Sequence, residues 1–441
     1  MTRQGNVKVP NGQGLSACRQ HWHASYLVLR SRLRSPSAIG FDKKLHEEFI
    51  LQPILSLLVG FLGFTGRSNI RCFRACTLID AALPGKVFYP GTKTYAEDIA
   101  HFQASAEQNS TSAVNPSSVE DLSAVVESEA ADMPPIRDLA RRRAAGRSDI
   151  NGKLHLRAGC KWHEIYASLE PYNVTVAGGR VPGVGVGLIL GGGYSWIADQ
   201  YGLGIDNVVS FDLVLPNGTF VTVSDANHPE ILFGLKGGLN NFGIISRVTM
   251  YARPLGAVWG GMITYAPSDE ISQALADFSL YNTDRKAQIV ADYVQTGVDQ
   301  AAWLIVMFYD GGFQPAVYQP FLDIPALASN VGVQNPGFFE YDTDCKPFIG
   351  AFDFETPSAY PHSQNRHVTP ANPLITFANL ADAEYFHDLL WKMSNTIQAS
   401  AVSQGQSRWD DIHHPNLALD DPPKELLFGS NITRLKQIKH S

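Results

Sequence analysis

The chain has 441 residues, 44% of them apolar, and a formal net charge of −7. That is enough apolar material for two or three globular domains. The acidic balance excludes a general attraction to nucleic acid or to an anionic membrane surface, and the Arg141, Arg142, Arg143 run is too short to change it.

Residues 1–70 read as an atypical extension. Lys43 and Lys44 precede an apolar run from Phe49 to Phe64, broken by Pro53. The run is shorter than the ~20 residues a bilayer needs, so no membrane span is expected. It matches the apolar region of a secretory signal but lies well inside the chain, which leaves three readings open: a signal behind an upstream start, an uncleaved anchor, or a buried apolar helix. Secretion follows from the first, a cytoplasmic location from the last. The five cysteines, Cys18, Cys72, Cys76, Cys160 and Cys345, have no metal-ligand spacing and form no disulfide framework. No metal is expected. Sequons at Asn109, Asn173, Asn217 and Asn431 are compatible with a secretory route.

Ordered patterning begins at Ala75. A helix ending near Leu83 is followed by a Pro-Gly turn, a short VFYP strand and a helix from Thr94. Ala113 to Asn115 form a candidate strand, and Pro116, Ser117 and Ser118 cap a helix with Val119, Leu122, Val125 and Val126 on one face. Between Glu127 and Lys153 neither strand period nor glycine cluster is present, and the stretch reads as loop. Leu154 to Ala158 read as a strand, and the helix after it carries Trp162, Ile165, Tyr166 and Leu169 on one side, with His155 a strand residue and His163 exposed on the helix.

From Val176 to Gly193 nearly every second residue is glycine: VAGGRVPGVGVGLILGGG. Glycine is costly in regular structure and is used where backbone takes positive φ or approaches another body closely. Such a run is a surface made of main chain, whose amides suit phosphates, with Arg180 as its one cation. The spacing excludes the Rossmann G-x-G-x-x-G fingerprint, since Leu188 and Leu190 stand where the third glycine belongs, and no Walker sequence occurs. A packing crossover between two layers is the alternative reading.

A short helix is expected over Tyr194 to Tyr201, then two strands joined by Pro216-Asn217-Gly218, a strong hairpin signal. A helix follows from Pro229 to Leu235, with a strand from Ile244 to Pro254. Beyond Val258, MITY, QIVADYVQ and WLIVMFY are strands and Ser268 to Leu280 and Ala381 to Asn395 helices. The alternation of Ile289, Ala291 and Tyr293 predicts a sheet with one covered face. The tail after Ser400 reads as loop-rich, with His413 and His414 solvated.

The succession GGR-x-x-x-VGVG-x-x-LGGG, YGL-x-x-DNV, VLPNG and LKGG-x-NNFGIIS resembles the FAD-linked oxidases of the vanillyl-alcohol oxidase and berberine-bridge-enzyme-like group, in its fungal form, as does LPGKVFYPGTKTYAED. The resemblance implies an α+β fold: a two-lobed PCMH-type FAD-binding domain over residues 71–255, an α+β substrate-binding domain over 256–400, and a segment 401–441 returning to the first. It implies FAD lined by Gly178, Gly179, Arg180, Gly185 and Gly187, approached closely at Gly191, Gly192 and Gly193, with Asp206 and Asn207 holding the start of a strand and the Ile245 backbone meeting the adenine. For Asp206 and Asn207 a helix-to-strand turn is the competing reading, and Lys236 and Asn241 read as turn residues. The implied activity is a two-electron oxidation of a small organic substrate with O2 as acceptor, by a monomer, in secondary metabolism.

The chain also departs from the family. No R-G-G-G-H-S-like segment precedes Leu154, so covalent attachment of FAD is not expected. Val181 stands where plant members carry a flavin-linking Cys, Ser112 where the half-cystine partner of Cys76 belongs, and Leu417 where a flavin-facing Tyr belongs. No catalytic base is assigned; Tyr265, Tyr293, Tyr309 and Tyr341 read as sheet and core aromatics. A non-catalytic relative, or an incomplete copy of the gene product, remains the alternative to an FAD-linked oxidoreductase.

Overall fold

The computed structural model describes residues 76–99, 110, 112–129, 152–297, 300–335, 382–414 and 422–440, with the short strands His21–Trp22, Arg147–Ser148, Phe348–Ile349 and Thr376–Phe377. The 49–64 run, Tyr341, Leu417 and most of the stretch from Glu127 to Lys153 lie outside these residues. Among the described residues no helix is long and apolar enough to cross a membrane, and no cluster of metal-ligating side chains occurs.

The first unit pairs Val87–Phe88 with Ala113–Val114 and packs the helices 76–82, Lys93–Ile99 and Val119–Glu129 around them. The predicted apolar face of the last helix is buried in two directions: Val125 joins Ile79, Leu83 and Val87, while Leu122 and Val126 pack on Val214 of the neighbouring sheet. Asp121, in its first turn, accepts from the Ser117 and Ser118 amides and from Lys86 Nζ, satisfying donors that a helix start leaves open.

That neighbouring sheet has five antiparallel strands in the order Arg147–Ser148, Lys153–Arg157, Ile244–Tyr251, Val208–Val214, Phe220–Ser224. The Pro216-Asn217-Gly218 turn closes the last hairpin as expected, with Asn217 Oδ1 accepting from the Thr219 amide at 3.0 Å. Helix Trp162–Leu169 covers the sheet, burying Trp162, Ile165 and Leu169 at its i, i+3, i+7 positions with Leu154 and Leu156.

A second sheet runs in the order Ala328–Ser329, Val258–Tyr265, Gln300–Tyr309, Ala287–Gly297, Phe348–Ile349, with Gly332–Gln334 also pairing Val258–Tyr265. Helix Asp269–Tyr281, capped by Ser268, lies on one face with Tyr318 and Phe321. The expectation of a single covered face is corrected here. Over residues 287–292 both faces are buried, because Val290, Val306 and Phe308 join the core of the first sheet. The polar members of the alternation, Gln288 and Asp292, therefore face another layer of protein.

Two further expectations change. Only Ala198–Tyr201 of the stretch from Tyr194 is helical. The helix expected from Ala381 runs over Ala383–Ser403, and the tail after Ser400, read as loop-rich, carries two further helices among its described residues, Glu425–Phe428 and Ile432–His440. The last helix docks on Pro229–Leu235, where Arg434 donates to both Glu230 carboxylate oxygens at 2.9 and 2.7 Å and lies 3.6 Å over the Phe233 ring.

Candidate functional site

Helix Trp162–Leu169 is the platform of the glycine segment. The buried Trp162 ring lies beneath Gly178 and Gly179, such that a Cβ at Gly178 would overlap it and one at Gly179 would come within 2.6 Å. One turn on, Tyr166 donates its hydroxyl proton to the Gly179 carbonyl at 2.9 Å, and His163 Nδ1 accepts from the Gly183 amide at 3.1 Å. His163 is thus a half-buried anchor of the segment and not the exposed helix residue its position suggested. His155 is a strand residue as read, bonded to Thr249 Oγ1. Burial holds the Tyr166 phenol well above its ordinary range, so it stays a donor.

The two ends of the segment differ from its middle. Gly192 sits at φ +113°, and a Cβ there would stand 2.8 Å from His414 Nε2. Gly193 has Ile189 and Gly204 at 3.5 and 3.7 Å from its Cβ position, and Gly191 is buried. His414 is not solvated: it is buried and stacked on Tyr194 with centroids 4.2 Å apart, which places the C-terminal segment on the glycine triad. In the middle, Gly183 and Gly187 have nothing within 4 Å of the Cβ position, and Gly185 has only the Cys160 carbonyl at 3.8 Å. The bridge between Lys161 and Gly185, closed by bonds from Trp162 to Val184 and from Val186 to Cys160, turns the Gly185 amide outward.

Arg180 lies 5.5 Å from the ring centroids of both Tyr194 and Trp196, and Trp196 stacks at 5.5 Å on Phe308 of the second sheet. A continuous series His414, Tyr194, Arg180, Trp196, Phe308 thus runs from the tail across the glycine segment to the second sheet. Gln288 completes the junction: with its amide oriented to satisfy both ends, it donates to the Ser195 carbonyl at 3.0 Å and accepts from the Ala198 and Asp199 amides at 3.2 Å. Asp199 is buried beside it, and desolvation pushes its carboxyl up to about 8 against the opposing pull of Arg180 and Arg285. The sequence carried a signal for this residue: an Asp directly after the apolar run Trp196-Ile197-Ala198 that follows the glycine triad.

The remaining expected residues sit in the scaffold. Asp206 Oδ2 accepts from the Leu203 amide at 2.7 Å. Asn207 is fully buried, donating to the Tyr201 and Leu203 carbonyls at 2.9 Å and accepting from Arg253 Nε and Nη2 at 3.0 and 2.8 Å. Ile245 pairs with Leu213 next to a bulge, beyond the last pair of the adjoining ladder, Arg157 with Arg247. Lys236 caps Pro229–Leu235 and is buried, which lowers its pKa. Asn241 donates to the Gly238 carbonyl. Of the tyrosines, Tyr265 is fully buried with its hydroxyl donating to the Phe321 carbonyl, Tyr309 is packed edge-on to Phe313, and Tyr293 is exposed.

Open backbone at Gly183, Gly185 and Gly187, an outward amide and a neighbouring cation suit the pyrophosphate of a dinucleotide. The residues present fit FAD on that strip, whereas Gly178 and Gly179 turn their Cβ side to Trp162. The FAD binding domain family matches residues 139–224. The chain is similar to the FAD-dependent monooxygenase drtC of Aspergillus calidoustus, 31% identical over 58% of this chain and 56% of that protein. It is also similar to the bifunctional solanapyrone synthase of Alternaria solani, 32% identical over 38% of this chain and 33% of that protein. The chain thus spans only about a third to a little over half of the length of these curated relatives. In fold it is similar to BBE-like 1 of Physcomitrella patens, with a TM-score of 0.64 at 15% identity over 82% of this chain and 95% of that one. Motif order, sheet architecture and these likenesses agree: the chain carries an FAD-binding domain, is similar to fungal FAD-dependent oxidoreductases, and shares its fold with berberine-bridge-enzyme-like flavoproteins.

Proposed function

We propose that the chain is an FAD-linked oxidoreductase acting on a small organic substrate, with residues 71–255 binding FAD, 256–400 forming the substrate side and 401–441 closing back on the first domain. The observation that carries this reading is the open strip of bare backbone at Gly183, Gly185 and Gly187 beside Arg180. FAD, when bound, supplies the two-electron chemistry, taking a hydride from a substrate carbon and passing both electrons to O2 as peroxide.

The chain's own part is binding and orientation. Gly185 and Gly187 offer amides, Arg180 offers a positive charge, and Gly178 and Gly179 hold the strip on Trp162. Gly191, Gly192 and Gly193 let the C-terminal segment close over the same region. Asp206 and Asn207 fix the start of the Val208–Val214 strand, and Ile245 offers backbone at the sheet end. The second sheet meets the end of the glycine segment through Phe308 and Gln288. The names of the fungal relatives favour a tailoring role in secondary metabolism.

The test is visible absorbance of the purified protein before and after acid precipitation. Flavin bands that leave with the supernatant support non-covalent FAD, and peroxide release is then screened against small alcohols and phenols. Flavin retained in the pellet would overturn the absence of a covalent link. A colourless folded protein would sink the oxidoreductase reading in favour of a non-catalytic relative.

A further inference from the structure

Among the described residues Asn173, His228 and Leu239 take a left-handed backbone without being glycine, and only Leu239, at φ +62°, does so with a branched apolar side chain. Asn and His are at home in that region, whereas for leucine it is a strain that persists only where the surroundings impose it. Here they impose it from two directions. The Leu239 amide donates to the Leu190 carbonyl of the glycine segment at 3.1 Å. Its side chain packs with Leu427, Phe428, Ile432 and Leu435 of the two C-terminal helices.

The turn around Leu239 is built onto the last helix. A Cβ at Gly238 would overlap the Gly234 carbonyl and come within 3.1 Å of Leu435. Lys439 Nζ donates to Asn241 Oδ1 at 3.4 Å, and Asn241 Nδ2 donates to the Gly238 carbonyl at 2.7 Å. On the other side, the Leu190 carbonyl belongs to the turn Val186–Gly191, which carries the open Gly187. His414 meets Gly192 from the tail as well, and the His413 amide donates to the Leu426 carbonyl at 2.6 Å. The end of the glycine segment is therefore held at Leu190 and at Gly192 by pieces of one C-terminal assembly.

We propose that Leu239 is a positioning residue for the bare strip: its side chain, anchored in the C-terminal helices, keeps its amide on the Leu190 carbonyl and so fixes the turn that carries Gly187. Docking of the last helix and binding of an anion on the strip then favour each other by the same factor. The pin itself stands on the contacts above, and its effect on the anion rests on the flavin reading.

Two measurements separate these. In the protein without FAD, hydrogen exchange of the turn Val186–Gly191 and of Gly192 should be about tenfold faster in Leu239→Gly than in the parent. Glycine is at ease at this φ, so the variant loses the anchor and not the backbone conformation. Leu239→Met, which keeps an apolar anchor, should restore protection, Leu435→Ala should lose it from the far side, and the strand Val208–Val214 should exchange as in the parent throughout. Unchanged exchange of the turn in Leu239→Gly, or equal acceleration in the strand, overturns the proposal. With FAD, tryptic cleavage at Arg434, Lys436 and Lys439 should slow in the parent, and the FAD dissociation constant should rise about tenfold in Leu239→Gly. Tight FAD binding that leaves both cleavage and the variant's affinity unchanged overturns the linkage. Failure of parent and variants alike to bind FAD would sink the flavin reading, while the exchange measurement still decides on Leu239.

Discussion

Cys76 Sγ lies 3.1 Å from Ser112 Oγ, across 36 residues of chain. The family resemblance pairs a half-cystine at Cys76 with the position that Ser112 occupies, and the fold keeps the two side chains together although the bond cannot form. Ser112→Cys should therefore oxidise to a disulfide without rearrangement of the backbone. A loop of this length stabilises by roughly 3–4 kcal/mol in the chain-entropy account. Thermal unfolding with and without reductant, together with a thiol count, checks it; six free thiols instead of four under oxidising conditions would show that the geometry is misjudged.

Gly178 and Gly187 belong to one motif but should respond oppositely to alanine. Gly178→Ala forces a methyl into the Trp162 ring, an overpacking that costs about 1–3 kcal/mol. Gly187→Ala meets nothing within 4 Å, so its stability should change by less than ~0.5 kcal/mol while FAD binding weakens. Urea unfolding alongside flavin content separates the two effects. Equal loss of stability in both variants would refute the division of the segment into packed and open glycines.

Asp199 gives stability a pH dependence of definite sign. Its carboxyl is raised in the folded chain from 3.8 to about 8, so the folded state keeps a proton that the unfolded state releases. The contribution is complete below the unfolded value, declines as pH rises between the two, and is gone above the folded value. Within that interval the slope approaches roughly 1.4 kcal/mol per pH unit at most. Asp199→Asn should flatten it, gaining stability relative to the parent as pH increases. Parallel stability profiles of the two proteins would contradict the assignment.

Asn207 joins four partner atoms in a fully buried place. Asn207→Ala leaves two carbonyls and the Arg253 guanidinium without it, and each buried group left unsatisfied costs about 1–3 kcal/mol. A loss of several kcal/mol is expected in chemical denaturation. Arg253→Ala should be milder, because it leaves Asn207 its two carbonyl partners.

Much of this protein was legible in the sequence because the relevant physics is local. The apolar spacing of Trp162, Ile165 and Leu169, the Asn217-Gly218 turn and the helix Pro229–Leu235 depend on neighbours within a few residues, and each formed where the pattern placed it. The glycine run declared that bare backbone was needed, and the succession of motifs declared the likeness to FAD-linked oxidases. Which glycines are packed and which are open was not legible. It depends on Trp162 arriving under Gly178 and on His414, more than two hundred residues further on, arriving against Gly192. The same holds for the alternation in Ala287–Gly297. A polar stripe of Gln288 and Asp292 reads as solvent-facing until a second layer covers it, and only the tertiary fold brings Ser195 to Asp199 there. Period fixes which residues share a face; what that face meets is set by contacts between distant segments, and those have no local signature.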